Sequence, residues 1–147
     1  MTATRNNASI SVVDDDPSVR RALDRLLRSA GFAVETFDSA EEFIESLSSV
    51  LPDCLVLDVH LQGMNGFELQ SLLAARRIDI PIIFMTAVDF IGGMRDEWRQ
   101  RVADQSGGLS VLPKPFSDHL LFKKIDEALK RGLKLSVNDH PSKHQSP

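Results

Sequence analysis

Five short, largely apolar runs are spaced along the chain, and four of them stop abruptly at residues that could carry chemistry. Runs this short are poor candidates for helices and match buried parallel strands. Because ligands of open α/β sheets bind beyond the carboxyl ends of the strands, the residues after the runs are expected to gather at one edge. These runs and their endings are residues 10–13 before Asp14-Asp15-Asp16, 54–57 before Asp58, 82–85 before Thr86, and 109–112 before Pro113-Lys114-Pro115.

The fifth run, residues 32–37, alternates apolar and polar positions and therefore predicts an edge strand. Between the strands, apolar residues recur at helical spacing and are bracketed by residues that favour helix ends. Strands alternating with helices predict an α/β fold with a five-stranded parallel sheet and helices on both faces. The predicted helix ends are Asp16-Pro17 with Gly31, a capping box from Ser39 to Glu42, Gly66 with Arg77, and Ser117-Asp118 with Gly132.

Three stretches lie outside this alternation. A leader, residues 1–8, and a polar tail, residues 133–147, offer little to bury, so we expect the first to be flexible and the second disordered. Residues 88–106 have a weaker pattern that indicates one helix around residues 94–104. The chain therefore predicts a single domain over residues 9–132.

Composition narrows the class of protein. The net charge of −4 and the lack of a basic stripe argue against nucleic-acid binding, since the arginines at 20, 21, 25 and 28 suit a solvated helix face. No apolar run approaches the ~18 residues of a membrane-spanning helix. The single cysteine, Cys54, lies in an apolar run and is predicted to be a buried hydrophobic residue, which fits a reducing, cytoplasmic setting.

The acidic residues at the strand ends predict a metal site. If Asp14, Asp15 and Asp58 meet at one edge, their carboxylates repel one another unless a cation lies between them. Oxygen ligands without a cysteine or histidine cluster favour Mg²⁺. Helix capping accounts for Asp16 but leaves the Asp14-Asp15 pair unexplained.

The remaining strand-end residues suit phosphoryl chemistry. An ammonium at Lys114 and a hydroxyl at Thr86 could bind phosphoryl oxygens beside the metal. A carboxylate at the same edge can then act as the nucleophile and form an aspartyl phosphate.

Four motifs in this order resemble those of the receiver domain of two-component response regulators, most closely the FixJ/NarL type. The resemblance covers about residues 9–131. It rests on Val12-Val13-Asp14-Asp15-Asp16-Pro17, Leu55-Val56-Leu57-Asp58, Met85-Thr86-Ala87 and Lys114-Pro115-Phe116.

The resemblance implies a flavodoxin-like three-layer sandwich with strand order 2-1-3-4-5. It also implies a Lys114-Pro115 peptide bond that is often cis. Separately, the His60 side chain is not expected to take part in the chemistry. The implied roles are phosphoacceptor for Asp58, switch hydroxyl for Thr86, contact with phosphoryl oxygens for Lys114, and Mg²⁺ ligation by Asp14, Asp15, Asp58 and the main-chain carbonyl of His60.

The chain departs from the family pattern at three places. Val111 stands three residues before Lys114, where receivers usually carry the aromatic residue whose movement follows the threonine. Leu61-Gln62-Gly63 replaces the usual Met-Pro after the acceptor, which predicts a looser loop. Between Thr86 and Lys114 the chain is longer than usual, and the extra length holds Phe90, Ile91 and Trp98, of which Trp98 is either a core or a partner-facing residue.

These features predict a phosphorylated signalling module and not a stand-alone enzyme, although it would catalyse its own phosphorylation and dephosphorylation. The expected partners are a sensor histidine kinase, a downstream effector or output domain, and a second copy of the chain if phosphorylation causes dimerisation. The polar tail favours a stand-alone receiver over part of a FixJ-type transcription factor.

Two other functions remain open. A receiver-fold interaction scaffold that no longer switches is compatible with Val111. A Mg²⁺-dependent phosphohydrolase using an aspartyl nucleophile is a weaker alternative, because it would need a second aspartate where His60 stands.

Overall fold

The computed structural model describes residues 8–48, 50–87 and 110–144, with side chains as far as residue 132. Within these ranges, strands and helices alternate along the chain as predicted. The elements are β1 (Ser9–Val13), α1 (Pro17–Ser29), β2 (Ala33–Phe37), α2 (Ala40–Ser46), β3 (Cys54–Asp58), α3 (Gly66–Ala75), β4 (Ile82–Ala87), β5 (Ser110–Lys114) and α4 (Asp118–His144).

The five strands form one parallel sheet in the order β2-β1-β3-β4-β5, which confirms the predicted fold class and the edge position of β2. Every residue of the central strand β3 is buried. Its side chains alternate between two cores: Cys54 and Val56 pack with α1 and α4, whereas Leu55 and Leu57 pack with α2 and α3. An apolar run without alternation therefore marks a strand covered by helices on both faces.

The start of α1 follows its sequence signals. Asp16 caps the helix by accepting a hydrogen bond from the Ser18 amide, Pro17 occupies the first turn, and Gly31 adopts a positive φ of 97° just beyond the end. The capping box predicted for α2 forms only in part. The Ser39 hydroxyl accepts from the Glu42 amide, but the Glu42 carboxylate accepts from Asp38 N instead of closing on Ser39.

The prediction that the last helix stops at Gly132 is wrong, and so is the prediction of disorder from residue 133 to 144. Helix α4 continues to His144. A Cβ at Gly132 would lie 3.3 Å from Pro81 Cγ, so this glycine permits close packing of the helix against the loop before β4. One interior glycine costs a helix only about 1 kcal/mol relative to alanine, which its neighbours can offset.

Ala8, assigned to the flexible leader, belongs to the core. It is buried, and its carbonyl accepts a hydrogen bond of 3.0 Å from Ala33 N. The helix predicted around residues 94–104, together with Phe90, Ile91 and Trp98, lies outside the described residues, as do residues 1–7 and 145–147. Across the part of the chain that is described, no helix has the length and apolarity to cross a membrane.

Candidate functional site

The carboxyl ends of four adjacent strands bring the predicted site residues to one edge of the sheet. Parallel register aligns Val13 with Leu57, so Asp14 and Asp58 leave β1 and β3 side by side. Strand β5 reaches the same edge, with Lys114 opposite Ala87 of β4.

Carboxylate oxygens of Asp14, Asp15 and Asp58 lie within 4.8 Å of one another. Asp14 and Asp58 are buried, with 0% and 5% of their surface exposed, whereas Asp15 is exposed. The candidate metal ligands are all hard, negatively charged carboxylate oxygens, which suit a divalent cation such as Mg²⁺. The three acidic residues that the sequence singled out therefore form one cluster.

Lys114 links two of these carboxylates. Its Nζ lies 2.9 Å from Asp14 Oδ2 and 3.5 Å from Asp58 Oδ2. Burial alone would lower the pKa of Lys114, but its hydrogen bond to Asp14 and the charge of Asp58 outweigh burial and raise it. The ammonium is therefore charged and lies beside the candidate acceptor. The Lys114-Pro115 peptide bond is cis, as the resemblance implied.

The surroundings of Asp58 disfavour the ionised form of its carboxyl group. Burial, and after it the charge of Asp14, raise the pKa of the Asp58 carboxyl from 3.8 to about 6, while Lys114 and the His60 amide oppose the rise. That amide donates to Asp58 Oδ1 at 3.2 Å. At neutral pH the carboxylate is ionised, and added positive charge would stabilise it.

Asp14 is held by hydrogen bonds at both its main chain and its side chain. Its amide donates to Phe37 O at 3.1 Å, and its Oδ1 accepts from the Asp16 amide at 2.9 Å. Its carbonyl accepts from Arg20 Nη1 at 2.7 Å. The expectation that Arg20 simply belongs to a solvated helix face is thus wrong. Its position six residues after Asp14, in the first turn of α1, was the signal available in the sequence.

Gly66 lies directly against the acceptor strand. A Cβ at this position would come within 2.7 Å of Asp58 O and 3.0 Å of Val59 Cα, so no larger residue fits without a shift. The Gly66 amide donates to Val59 O at 3.1 Å. The sequence indicated Gly66 only as a helix start, yet it fixes the distance between α3 and the candidate acceptor.

Thr86 lies near the end of β4, next to the acceptor strand. It is fully buried, and its Oγ1 has no hydrogen-bond partner among the described residues. One strand further along, Val111 lies opposite Phe84 and is half-buried. Among the described residues, the Thr86 hydroxyl therefore lies buried beside β3 with its hydrogen-bonding capacity unused.

Cys54 is a core residue at the opposite end of β3. It is fully buried, and burial, with a smaller contribution from the charge of Asp53, raises the pKa of its thiol to about 12. A thiol in this environment stays protonated at neutral pH and is a poor nucleophile. The prediction of a buried hydrophobic cysteine is confirmed.

A five-stranded parallel sheet in this order is that of flavodoxin-like folds. The three carboxylates and the lysine at its carboxyl edge match the motifs that resemble those of receiver domains. The family of response regulator receiver domains matches residues 10–126, and this chain belongs to that family. The resemblance inferred from the four motifs is confirmed.

Individual relatives agree with the family. Nodulation protein W of Bradyrhizobium diazoefficiens is 39% identical over 133 residues, which span 90% of this chain and 56% of that protein. The transcriptional regulatory protein FixJ of the same organism is 36% identical over 123 residues, or 84% of this chain and 57% of that protein. The structure of the response regulator StyR superposes with a TM-score of 0.80 at 40% identity, covering 94% of this chain and 67% of the other. The chain thus spans little more than half the length of these curated relatives.

Proposed function

We propose that this chain is a phosphoryl-accepting module in which Asp58 receives a phosphoryl group from the phosphohistidine of a sensor histidine kinase. The observation that carries the proposal is the position of Lys114 Nζ, between the buried carboxylates of Asp14 and Asp58. An ammonium held beside a buried nucleophilic carboxylate is suited to the oxygens of an incoming phosphoryl group.

In the proposed transfer, an Asp58 carboxylate oxygen attacks phosphorus and the P–N bond of the phosphohistidine breaks. The bonding pair stays with the imidazole nitrogen, and the products are an acyl phosphate on Asp58 and a free histidine on the kinase. Because the Asp58 pKa of about 6 leaves its carboxylate ionised at pH 7, no base is needed to activate it. Hydrolysis of the acyl phosphate by water would return the chain to its resting state.

The residues present fit a bound Mg²⁺. Asp14, Asp15 and Asp58 supply clustered oxygens, and the raised pKa of Asp58 reflects in part a charge repulsion that a cation would relieve. The main-chain carbonyl of His60 is the proposed fourth protein ligand. When bound, the metal would offset the charge of the carboxylates and of the phosphoryl oxygens.

We propose that the structural response to phosphorylation of Asp58 begins at Thr86. Its buried hydroxyl has no partner within the described chain and could donate to a phosphoryl oxygen on the adjacent strand. A shift of Thr86 would then alter the surface formed around β4 and β5, and a downstream effector, an output domain or a second copy of the chain could bind that altered surface preferentially.

The test compares wild type with Asp58→Asn, each incubated with Mg²⁺ and a small phosphodonor such as acetyl phosphate. Asp53→Asn is the matched control, because it makes the same chemical change immediately before β3, at the end of the strand remote from the site. We expect wild type and the control to gain one phosphoryl group, measured by intact mass, and Asp58→Asn to gain none. The modification should be stable in acid and labile in base.

Three results would contradict the proposal. Absence of phosphorylation in wild type together with absence of Mg²⁺ binding would favour the interaction scaffold. Equal phosphorylation of Asp58→Asn would place the acceptor elsewhere. Turnover of an added phosphoester would favour the phosphohydrolase.

A further inference from the structure

Residues 60–65 form the loop that follows the candidate acceptor. Hydrogen bonds at its two ends reach Asp58, the last residue of β3, and Val59, which directly follows it. At its start, the His60 amide donates to Asp58 Oδ1 at 3.2 Å. Beyond its end, the Gly66 amide donates to Val59 O at 3.1 Å. A displacement of the loop would therefore act directly on the backbone around Asp58.

The middle of this loop is held by a side chain from a different part of the sequence. Glu41, in the first turn of α2, accepts a hydrogen bond from the Met64 amide at 3.0 Å through Oε2. The two residues are 23 positions apart in the chain. Glu41 thus links helix α2 to the rim of the site.

Gly63 makes this contact possible. Its φ is +77°, a conformation that side chains disfavour, and a Cβ built on it would lie 2.9 Å from Glu41 Oε2. The carboxylate therefore lies against a stretch of backbone that has no side chain to keep it away. The hydrogen bond to Met64 and the close approach at Gly63 both place Glu41 Oε2 against this loop.

The sequence explains why the loop needs such a restraint. Receivers that carry Met-Pro after the acceptor have a proline ring to fix one backbone angle. This chain has Leu61-Gln62 there, which predicts a looser loop. Leu61 is buried among the residues of the α2 and α3 side, and Glu41 holds the loop from outside.

We propose that Glu41 is a positioning residue that holds the loop of residues 60–65 and thereby sets the affinity of the site for Mg²⁺ and the rate of phosphorylation of Asp58. The inference rests on the proposed function, because it acts through the His60 carbonyl and the Asp58 backbone. Glu41 is exposed and contacts neither the metal nor the phosphoryl group in this scheme. Its effect comes from its hydrogen bond to Met64.

The experiment uses the full chain with Glu41→Ala, Glu41→Gln and the control Glu45→Ala. The control removes an exposed carboxylate from the same helix, so it reproduces the loss of charge. Three quantities are measured: hydrogen exchange of the Met64 amide by NMR, Mg²⁺ affinity by titration, and the rate of phosphorylation by acetyl phosphate. Chemical unfolding of each variant shows whether the fold is retained.

In Glu41→Ala we expect the Met64 amide to exchange about 3–10-fold faster, with Mg²⁺ affinity and phosphorylation rate reduced by about the same factor. Glu41→Gln keeps a side-chain oxygen that can accept the hydrogen bond, so its Mg²⁺ affinity and phosphorylation rate should be close to those of wild type. Glu45→Ala should match wild type in all three quantities. Gly63→Ala, which crowds Glu41, should reproduce the defect without removing any charge.

Two outcomes separate this inference from the function on which it rests. If Glu41→Ala binds Mg²⁺ and is phosphorylated like Glu45→Ala, the inference is overturned and the proposed function stands. Failure of wild type itself to bind Mg²⁺ or to accept phosphate would overturn both.

Discussion

The two sides of the site differ in how their buried polar groups are used. On the β1 side, the amide, the carbonyl and both carboxylate oxygens of Asp14 are engaged, by Phe37, Arg20, Asp16 and Lys114. On the β4 side, Thr86 is equally buried, yet its hydroxyl has no partner in the described chain. The polar groups of Asp14 are thus held in place by the fold. The Thr86 hydroxyl, as far as the described residues go, can still form a hydrogen bond.

This difference has a physical consequence for switching. A buried hydroxyl without a partner costs about 1–3 kcal/mol, and within the described chain Thr86 is such a group. Any oxygen acceptor that arrives nearby would recover part of that free energy. Under the proposed function, the β1 side would position the reacting groups, and Thr86 on the β4 side would respond to the new phosphoryl oxygen.

The largest expected effect comes from removing the ammonium that joins the carboxylates. Lys114→Gln should lower the rate of Asp58 phosphorylation by about 10²-fold, because a positioned charge is lost from the phosphoryl site. The measurement is the initial rate with acetyl phosphate and Mg²⁺. Lys130→Gln is the control, since Lys130 is an exposed lysine of α4 whose Nζ lies 3.4 Å from the half-buried Asp126, away from the carboxylate cluster. Equal rates for the two variants would show that Lys114 is structural.

A second prediction concerns the stability of the metal-free protein. The pKa of Asp58 is about 6 in the folded chain and 3.8 ordinarily, so between these values the folded state binds a proton that the unfolded state does not. Stability should therefore fall as pH rises from about 4 to 7. Asp58→Asn has no carboxyl group to ionise at this position, so it should not lose stability in this way. Its free energy of unfolding should be about 1–3 kcal/mol higher than that of wild type at pH 7 in EDTA, with little difference near pH 4.

Urea unfolding at several pH values measures this difference. Adding Mg²⁺ provides the counter-test, because a ligand that binds the folded state stabilises it. Wild type should gain more stability than Asp58→Asn on addition of the metal. A stability difference that is independent of pH would contradict a raised Asp58 pKa.

The third prediction addresses the unsatisfied side. Thr86→Val removes the hydroxyl at nearly constant shape and should raise the free energy of unfolding by about 1 kcal/mol, because a buried group without a partner is eliminated. Thr86→Ser, which keeps the hydroxyl, should not show this gain. Destabilisation by Thr86→Val, measured by urea unfolding, would mean that the hydroxyl has a partner after all.

The smallest expected effect is at Val111, where similar receivers usually carry an aromatic residue. Val111→Phe should change stability by no more than about 0.5 kcal/mol, because the position is half-buried. The phosphorylation rate should stay within twofold of wild type, since Val111 is outside the carboxylate cluster. A larger phosphorylation-dependent change in the NMR amide spectrum of β4 and β5 than in wild type would show that the aromatic ring couples these strands to Asp58. An unchanged difference would mean that other residues carry the response to phosphorylation.

Local sequence determined the elements and the chemistry at their ends. The apolar run before Asp58 predicted β3 because a strand covered on both faces is largely apolar. Asp16-Pro17 and Gly31 marked the ends of α1 because capping there uses groups only a few residues apart in the chain. Since parallel strands end at one edge, the same patterns also predicted that Asp14, Asp15, Asp58 and Lys114 would meet.

Only the tertiary structure decided which other residues support that edge. The sequence predicted Arg20 as a solvated charge and Glu41 only as part of a capping box. It predicted Gly66 and Gly132 as helix ends. In the fold, Arg20 binds the Asp14 carbonyl, Glu41 holds the loop beyond Asp58, and the glycines allow α3 and α4 to approach the acceptor strand and Pro81. These contacts join residues distant in sequence or depend on one missing Cβ, so no local periodicity records them. The sequence by itself predicted the cluster of carboxylates and the lysine beside it, and the packing decided which further residues hold that cluster in place.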